Sequence, residues 1–144
     1  MVNQPSGLKP VSHINGGEWN GKVSQYYVAS TDTSVYQPGD LVVSTPGGSN
    51  GIVQNTVSFG VQQISKASTL SNPRGVLISV QADPLNLSYT GLPATKDKNY
   101  LVNVSDDPLV IWEIQCNNTT TLSPTVIGKY ADIVIATGAT LSGT

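Results

Sequence analysis

At 144 residues the chain is long enough for one domain with a real core and too short for two comfortable ones. Charged residues make up 11% and the formal net charge is -2, against roughly 25% charged residues in an ordinary soluble domain, so no basic patch is on offer to a phosphate backbone and no direct nucleic-acid partner is expected. A single cysteine excludes an internal disulfide framework, and neither an export signal nor an apolar run long enough for a membrane span is visible, so no membrane partner is expected.

Residues 1–21 carry Pro5, Gly7, Pro10, Gly16, Gly17 and Gly21, a density that predicts an extended N-terminal arm without helix. The first strand is expected over Lys22 to Val28, where Tyr26 and Tyr27 point to opposite faces and one of them toward a partner. Pro38-Gly39-Asp40 predicts a type II turn into a strand at Leu41 to Val43, because proline presets φ at the first central position and glycine accepts positive φ at the second. Pro46 to Gly51 reads as a loop, Ile52 to Phe59 as one strand, and Gln62 to Leu70 as a crossing loop with room for a short helical turn.

Gly75 to Gln81 alternates, with Val76, Ile78 and Val80 assigned to the core and Leu77 to the opposite face. Ala82 to Lys98 is a Pro-bearing surface loop long enough to carry function. A strand follows at Tyr100 to Val104. Asp106-Asp107-Pro108 then opens another over Leu109 to Cys116, with Val110, Trp112, Ile114 and Cys116 on the buried face. The last strand is expected at Tyr130 to Ala136, with Ala131, Ile133 and Ile135 inward. Short strands with Pro/Gly turns and no credible long helix predict an all-β fold, a jelly-roll-like sandwich or small barrel, with residues 1–21 as the arm and 22–144 as a single β-rich domain.

Little in the chain promises chemistry. His13, the one histidine, has no cysteine or second histidine available to make a zinc site of ordinary composition, and paired with Cys116 it is a poor start for covalent catalysis. Asp106 and Asp107 are adjacent, so in an extended segment they diverge and make a poor acid–base pair; backbone hydrogen bonds at the turn suit them better. Gly47-Gly48-Ser49-Asn50-Gly51 lacks the lysine and following helix of a phosphate-binding loop. No catalytic residue, metal or cofactor is expected. Five of the tyrosines, Tyr26, Tyr27, Tyr36, Tyr89 and Tyr100, could equally stack on a ligand or pack in a core or interface.

The order of Gly7-Leu8-Lys9-Pro10, Asn15-Gly16-Gly17, Asn20-Gly21, Tyr26-Tyr27, Gly39-Asp40-Leu41-Val42, Asp106-Asp107-Pro108 through Trp112-Glu113-Ile114-Gln115, and Ala131-Asp132-Ile133-Val134 before Gly138 and Leu141-Ser142-Gly143 resembles the capsid decoration (cement) proteins of tailed bacteriophages. The resemblance implies a jelly-roll-like virion protein on the outer surface of the capsid, assembled in the host cytoplasm. Its partners would be the major capsid protein and copies of itself, as a dimer or trimer, with a terminal arm reaching a neighbour and the family pattern running on into further strands. Leu8, Tyr26, Tyr36, Tyr89, Glu113 and Tyr130 are the interface residues expected on this basis. A tail-associated or head-fibre module that binds a host-surface glycan shares the composition and is the alternative.

Overall fold

The computed structural model describes residues 7–45, 52–54, 57–68, 72–116, 122–133 and 135. Nine strands lie among them: β1 (Lys9–His13), β2 (Ser24–Val28), β3 (Leu41–Ser44), β4 (Ile52–Gln54), β5 (Val57–Phe59), β6 (Ile64–Lys66), β7 (Gly75–Val80), β8 (Tyr100–Ser105) and β9 (Val110–Glu113). The fold is all-β, and every ladder between these strands is antiparallel. A five-stranded sheet runs in the order β2-β8-β7-β3-β6, and β1 with β9 and β4 with β5 make two-stranded ribbons. Among the described residues no helix is long and apolar enough to cross a membrane.

Local chemistry accounts for the turns. Gly39 sits at φ 95° while the Asp40 N–H donates to the Gln37 carbonyl, the arrangement expected of Pro-Gly in a type II turn. Gly91 has a different duty. A Cβ there would lie 2.1 Å from the carbonyl oxygen of Tyr36, and that oxygen accepts from the Leu92 N–H in the bridge that ties the β7–β8 loop to the core.

The core lies on one face of the large sheet. Tyr26 and Val28 of β2, Val42 of β3, Ile64 of β6, Leu77 of β7 and Val102 and Val104 of β8 converge there, joined by Tyr36, Leu92 and Tyr100. Tyr27 points to the other face, where Leu101, Ala29 and Val61 cover it, so neither residue of the Tyr26-Tyr27 pair is left for a partner.

Several expectations are corrected. The small-barrel alternative fails: the sheet's two ends meet at one parallel bridge, Tyr27 with Gln63, and no ladder closes it. In β7 the inward residue is Leu77, fully buried, while Ile78 is half-buried. Leu77 pairs with Val104 and Ser79 with Asn103, leaving Ile78 in a bulge. The extra residue resets the alternation, so Leu77 before it and Val80 after it both approach the core. Val76 is buried.

In β9 Val110 is buried and Trp112 half-buried, but Ile114 is 48% exposed and Cys116 exposed, because the strand ends at Glu113. Residues 130–133 and 135 form no strand; Ile133 is exposed and Ile135 half-buried. Among the described residues their alternation finds no neighbouring strand to pair with. Ile52 to Phe59 is a hairpin of β4 and β5 rather than one strand, and the loop expected at 62–70 contains β6. The arm expected at 1–21 includes β1, which pairs within the chain to β9; residues 1–6 lie outside the described residues.

Candidate interaction surface

Exposed apolar side chains concentrate in three places. The first is the β1–β9 ribbon, whose register pairs Lys9 with Glu113, Pro10 with Trp112, Ser12 with Ile111 and His13 with Val110. Alternation puts Val110, Trp112, Pro10 and His13 on one face and Lys9, Ser12, Ile111 and Glu113 on the other. The first face contains the more buried side chains. On the second, Ile111 is 45% exposed, and Leu109, which accepts the Ile14 N–H through its carbonyl, extends it with Ile14. Val11, at the β1 bulge, is half exposed beside them. An apolar strip therefore crosses the outer face and ends at the cross-strand pair Lys9 and Glu113.

The second place is the loop from 81 to 99, where Leu85, Leu87 and Tyr89 stand out from the surface. The third is the segment 122–133, in which every residue is exposed. It contains one 3-10 turn, Pro124–Val126, capped by Ser123 Oγ accepting from the Thr125 N–H. Among the described residues its backbone hydrogen bonds, from Val126, Ile127 and Lys129, close within the segment, while Leu122, Val126, Ile127, Tyr130 and Ile133 face solvent. Contiguous apolar surface of this kind marks interaction sites.

Of the interface residues expected from sequence, Tyr89, Glu113 and Tyr130 lie on these surfaces. Leu8, Tyr26 and Tyr36 are interior and are corrected: each is less than a tenth exposed. The tyrosines were ambiguous because a ring that is mostly apolar with one polar tip suits a core edge as well as an interface. In Tyr26, Tyr36 and Tyr100 the tips are taken. Tyr26 Oη donates to Asp106 Oδ2 at 2.7 Å and accepts from Arg74 Nε at 2.9 Å, Tyr36 Oη donates to Asp32 Oδ2, and Tyr100 Oη reaches Asp83 and Asp97 at 2.8 and 2.9 Å. A cation lies over each ring: Arg74, Lys96 and Lys98 respectively. Sequence inspection missed these three clasps because their partners lie up to 80 positions apart.

The clasps set the electrostatics. Burial raises the pKa of all three tyrosines, and in Tyr36 and Tyr100 the carboxylate that accepts each hydroxyl adds to the effect. For Tyr26, the hydrogen bond from Arg74 acts in the opposite direction and the one to Asp106 again raises it. Burial lowers the pKa of Lys96, whose ammonium donates to the carbonyls of Asp32 and Ser34 at 2.6 and 2.8 Å. Burial opposes the ionisation of Asp106, but hydrogen bonds from Tyr26 and Ser24 outweigh it and hold the pKa below the ordinary value. Asp83 is held lowest, at about 2, by the Leu85 N–H and the Tyr100 hydroxyl, with Lys98 assisting against desolvation.

A carboxyl whose folded pKa is depressed contributes stability above its unfolded pKa and loses it as pH falls through the folded value. The wild-type chain should therefore lose stability as pH drops from the ordinary value of 3.8 toward about 2. Asp83→Asn should be less stable at neutral pH and show a flatter acid limb in that window. Parallel limbs for the two proteins, in denaturant titrations at stepped pH, would contradict the assignment.

Asp107 Oδ1 accepts the Leu109 N–H at 2.9 Å, as expected of an Asp-Pro turn, and Oδ2 lies 3.6 Å from His13 Nδ1. Among the described residues no three His, Cys, Asp or Glu side chains gather where they could hold a metal ion. The arrangement is suited to binding through apolar area and backbone contact. The chain matches no protein-family model, and no curated protein or solved structure is detectably similar to it.

Proposed function

We propose that this protein is a structural component of a tailed-bacteriophage virion that binds the outer surface of the icosahedral head, bridges neighbouring major capsid protein subunits and performs no chemistry. The observation that carries the proposal is the outer face of the β1–β9 ribbon, where Val11, Ile14, Leu109 and Ile111 stay exposed on a chain of low charge. A surface with few charges is desolvated cheaply over a broad contact. On this view the five-stranded sheet and the ribbon are layers of a jelly-roll-like sandwich. Half-exposed side chains of this size contribute roughly 1 kcal/mol apiece when covered, and many copies that each tie two subunits together make the shell harder to open. The protein acts on the virion's outside, after assembly in the host cytoplasm.

Heads depleted of the protein should keep their architecture but release DNA at a lower temperature, and adding the wild-type chain should restore the threshold. The double variant Val11→Asp, Ile111→Asp should fold and fail to restore it, since each aspartate would bury a charge at the contact. Because the contact is mainly apolar, binding should depend only weakly on salt. Depleted particles that withstand heat as well as complete ones but no longer attach to cells would replace this function with glycan binding at the tail or a head fibre.

A further inference from the structure

Asparagine followed by glycine is the pair in which a chain most readily attacks its own side chain. The glycine nitrogen closes on the asparagine Cγ, and the missing Cβ leaves that approach open. The sequence has the pair three times, at Asn15-Gly16, Asn20-Gly21 and Asn50-Gly51; the third lies outside the described residues. The other two stand on either side of Glu18, whose bridge to Ser12 extends the ribbon on its β1 side.

All four of these residues are exposed, so access to water does not separate the two sites. Their hydrogen bonds do. The Gly16 N–H, which supplies the attacking nitrogen of the first pair, donates to the His13 carbonyl at 3.0 Å, and the turn is closed again by the His13 N–H on the Gly17 carbonyl at 2.7 Å. That nitrogen reacts only after it gives up its partner. At the second pair the Gly21 N–H donates to no described residue, and a Cβ placed on Gly21, at φ 77°, would meet nothing within 4 Å. The Lys22 N–H donates to Asn20 Oδ1 at 3.1 Å. This bond folds the amide back along its own backbone, as in an Asx turn, and holds Cγ beside the Gly21 nitrogen. The same donor sits on the oxygen that gains negative charge as the nitrogen adds.

We infer that Asn20 is a self-modifying site: in the folded chain it converts without an enzyme to aspartate and isoaspartate, well ahead of Asn15. A solvent base takes the Gly21 amide proton as the nitrogen bonds to Asn20 Cγ. The bond from Cγ to Nδ2 then breaks, and that nitrogen leaves, protonated, as ammonia. Water opens the resulting five-membered imide at one carbonyl or the other, so no oxidant or reductant is needed. The product has one negative charge more than the starting chain, whose formal net charge is -2. Its isoaspartyl form routes the main chain through Cβ and Cγ and so lengthens the connection from Glu18 to β2 by one atom. Each molecule thereby carries a mark of its age where the ribbon joins the main sheet. The inference needs neither a capsid nor the apolar strip, so its outcome is separate from that of the function proposed above.

The test ages purified full-length chain in mildly alkaline buffer, once folded and once in urea, and follows each asparagine separately by peptide mass mapping. In the folded chain Asn20 should be modified roughly tenfold faster than Asn15, the factor expected from the turn bond that only Gly16 must break and the donor that only Asn20 has. In urea, where both are the same dipeptide in an open chain, the two rates should converge. Equal or faster conversion at Asn15 in the folded chain, the same ratio folded and in urea, or an intact Asn20 in the folded chain once the urea sample has converted would each overturn the inference.

Discussion

Replacing Leu77 by alanine should lower the free energy of unfolding by about 2–5 kcal/mol, while Ile78→Ala costs far less. Leu77 is fully buried in the main core cluster, against the β8 residues Val102 and Val104 and the ring of Tyr36 among others. Deleting its isobutyl group removes apolar burial and leaves a cavity that a sheet held by ladders on both sides cannot fill by collapse. Ile78, at the bulge, keeps part of its surface in water in both states. Urea denaturation of the two variants separates the cases. Equal losses would mean that β7 runs in straight alternation and that the bulge is not there.

Tyr36→Ala should cost about 3–5 kcal/mol, and Tyr36→Phe about 1.5–3 kcal/mol. Tyr36 is the largest fully buried side chain among the described residues, and it does three jobs at once. Its ring fills the core, its hydroxyl donates to Asp32, and its backbone exchanges both hydrogen bonds with Leu92. Phenylalanine preserves the first and third and leaves Asp32 short of a donor. Alanine also removes the ring that lies 5.3 Å from the Lys96 ammonium. Thermal unfolding should rank the variants Tyr36→Ala, Tyr36→Phe, wild type in order of rising midpoint; Tyr36→Phe as stable as wild type would strip the Asp32 contact of energetic weight.

Alternation and turn chemistry located most of the main sheet. Tyr26 and Val28, Leu41 to Val43 and Tyr100 to Val104 occupy strands where the period of two put them, and the Pro38-Gly39 turn has the positive φ its residues call for. The bulge at Ile78 was invisible because it involves neither glycine nor proline: its cause is the match of β7 to β8, a partner about 25 residues away that the local pattern does not contain. The hairpin at 52–59 escaped for a related reason, since Ile52 to Phe59 reads as one polar and β-branched run with no glycine or proline to mark a break. Tyr130 to Ile135 failed in the opposite sense. Its residues alternate as a strand's do, but a strand exists only where an edge accepts it, and among the described residues none pairs with it.

The surface was less legible than the fold. Composition led to the expectation of a protein that packs against neighbours; Glu113, Tyr89 and Tyr130, expected at an interface, are exposed in the structure. The apolar strip of Val11, Ile14, Leu109 and Ile111 could not be read in advance, because β1 and β9 come from distant parts of the chain and a strand's outer face is defined only once its partner is known.

That distance has a consequence for when the apolar strip comes into being. Lys9 pairs with Glu113, so the ribbon closes a loop that encloses every other strand among the described residues. Closing so long a loop early is entropically expensive, and contacts of high sequence separation are generally made late. A nascent chain still missing β9 has β1 but no face to present, and a chain whose central sheet has misfolded cannot bring the two strands together. On the function proposed above, only a molecule whose β1 and β9 have paired would display the strip. In hydrogen exchange the ribbon amides should open before those of β7 and β8, with docking raising their protection while the interior of the sheet stays unchanged.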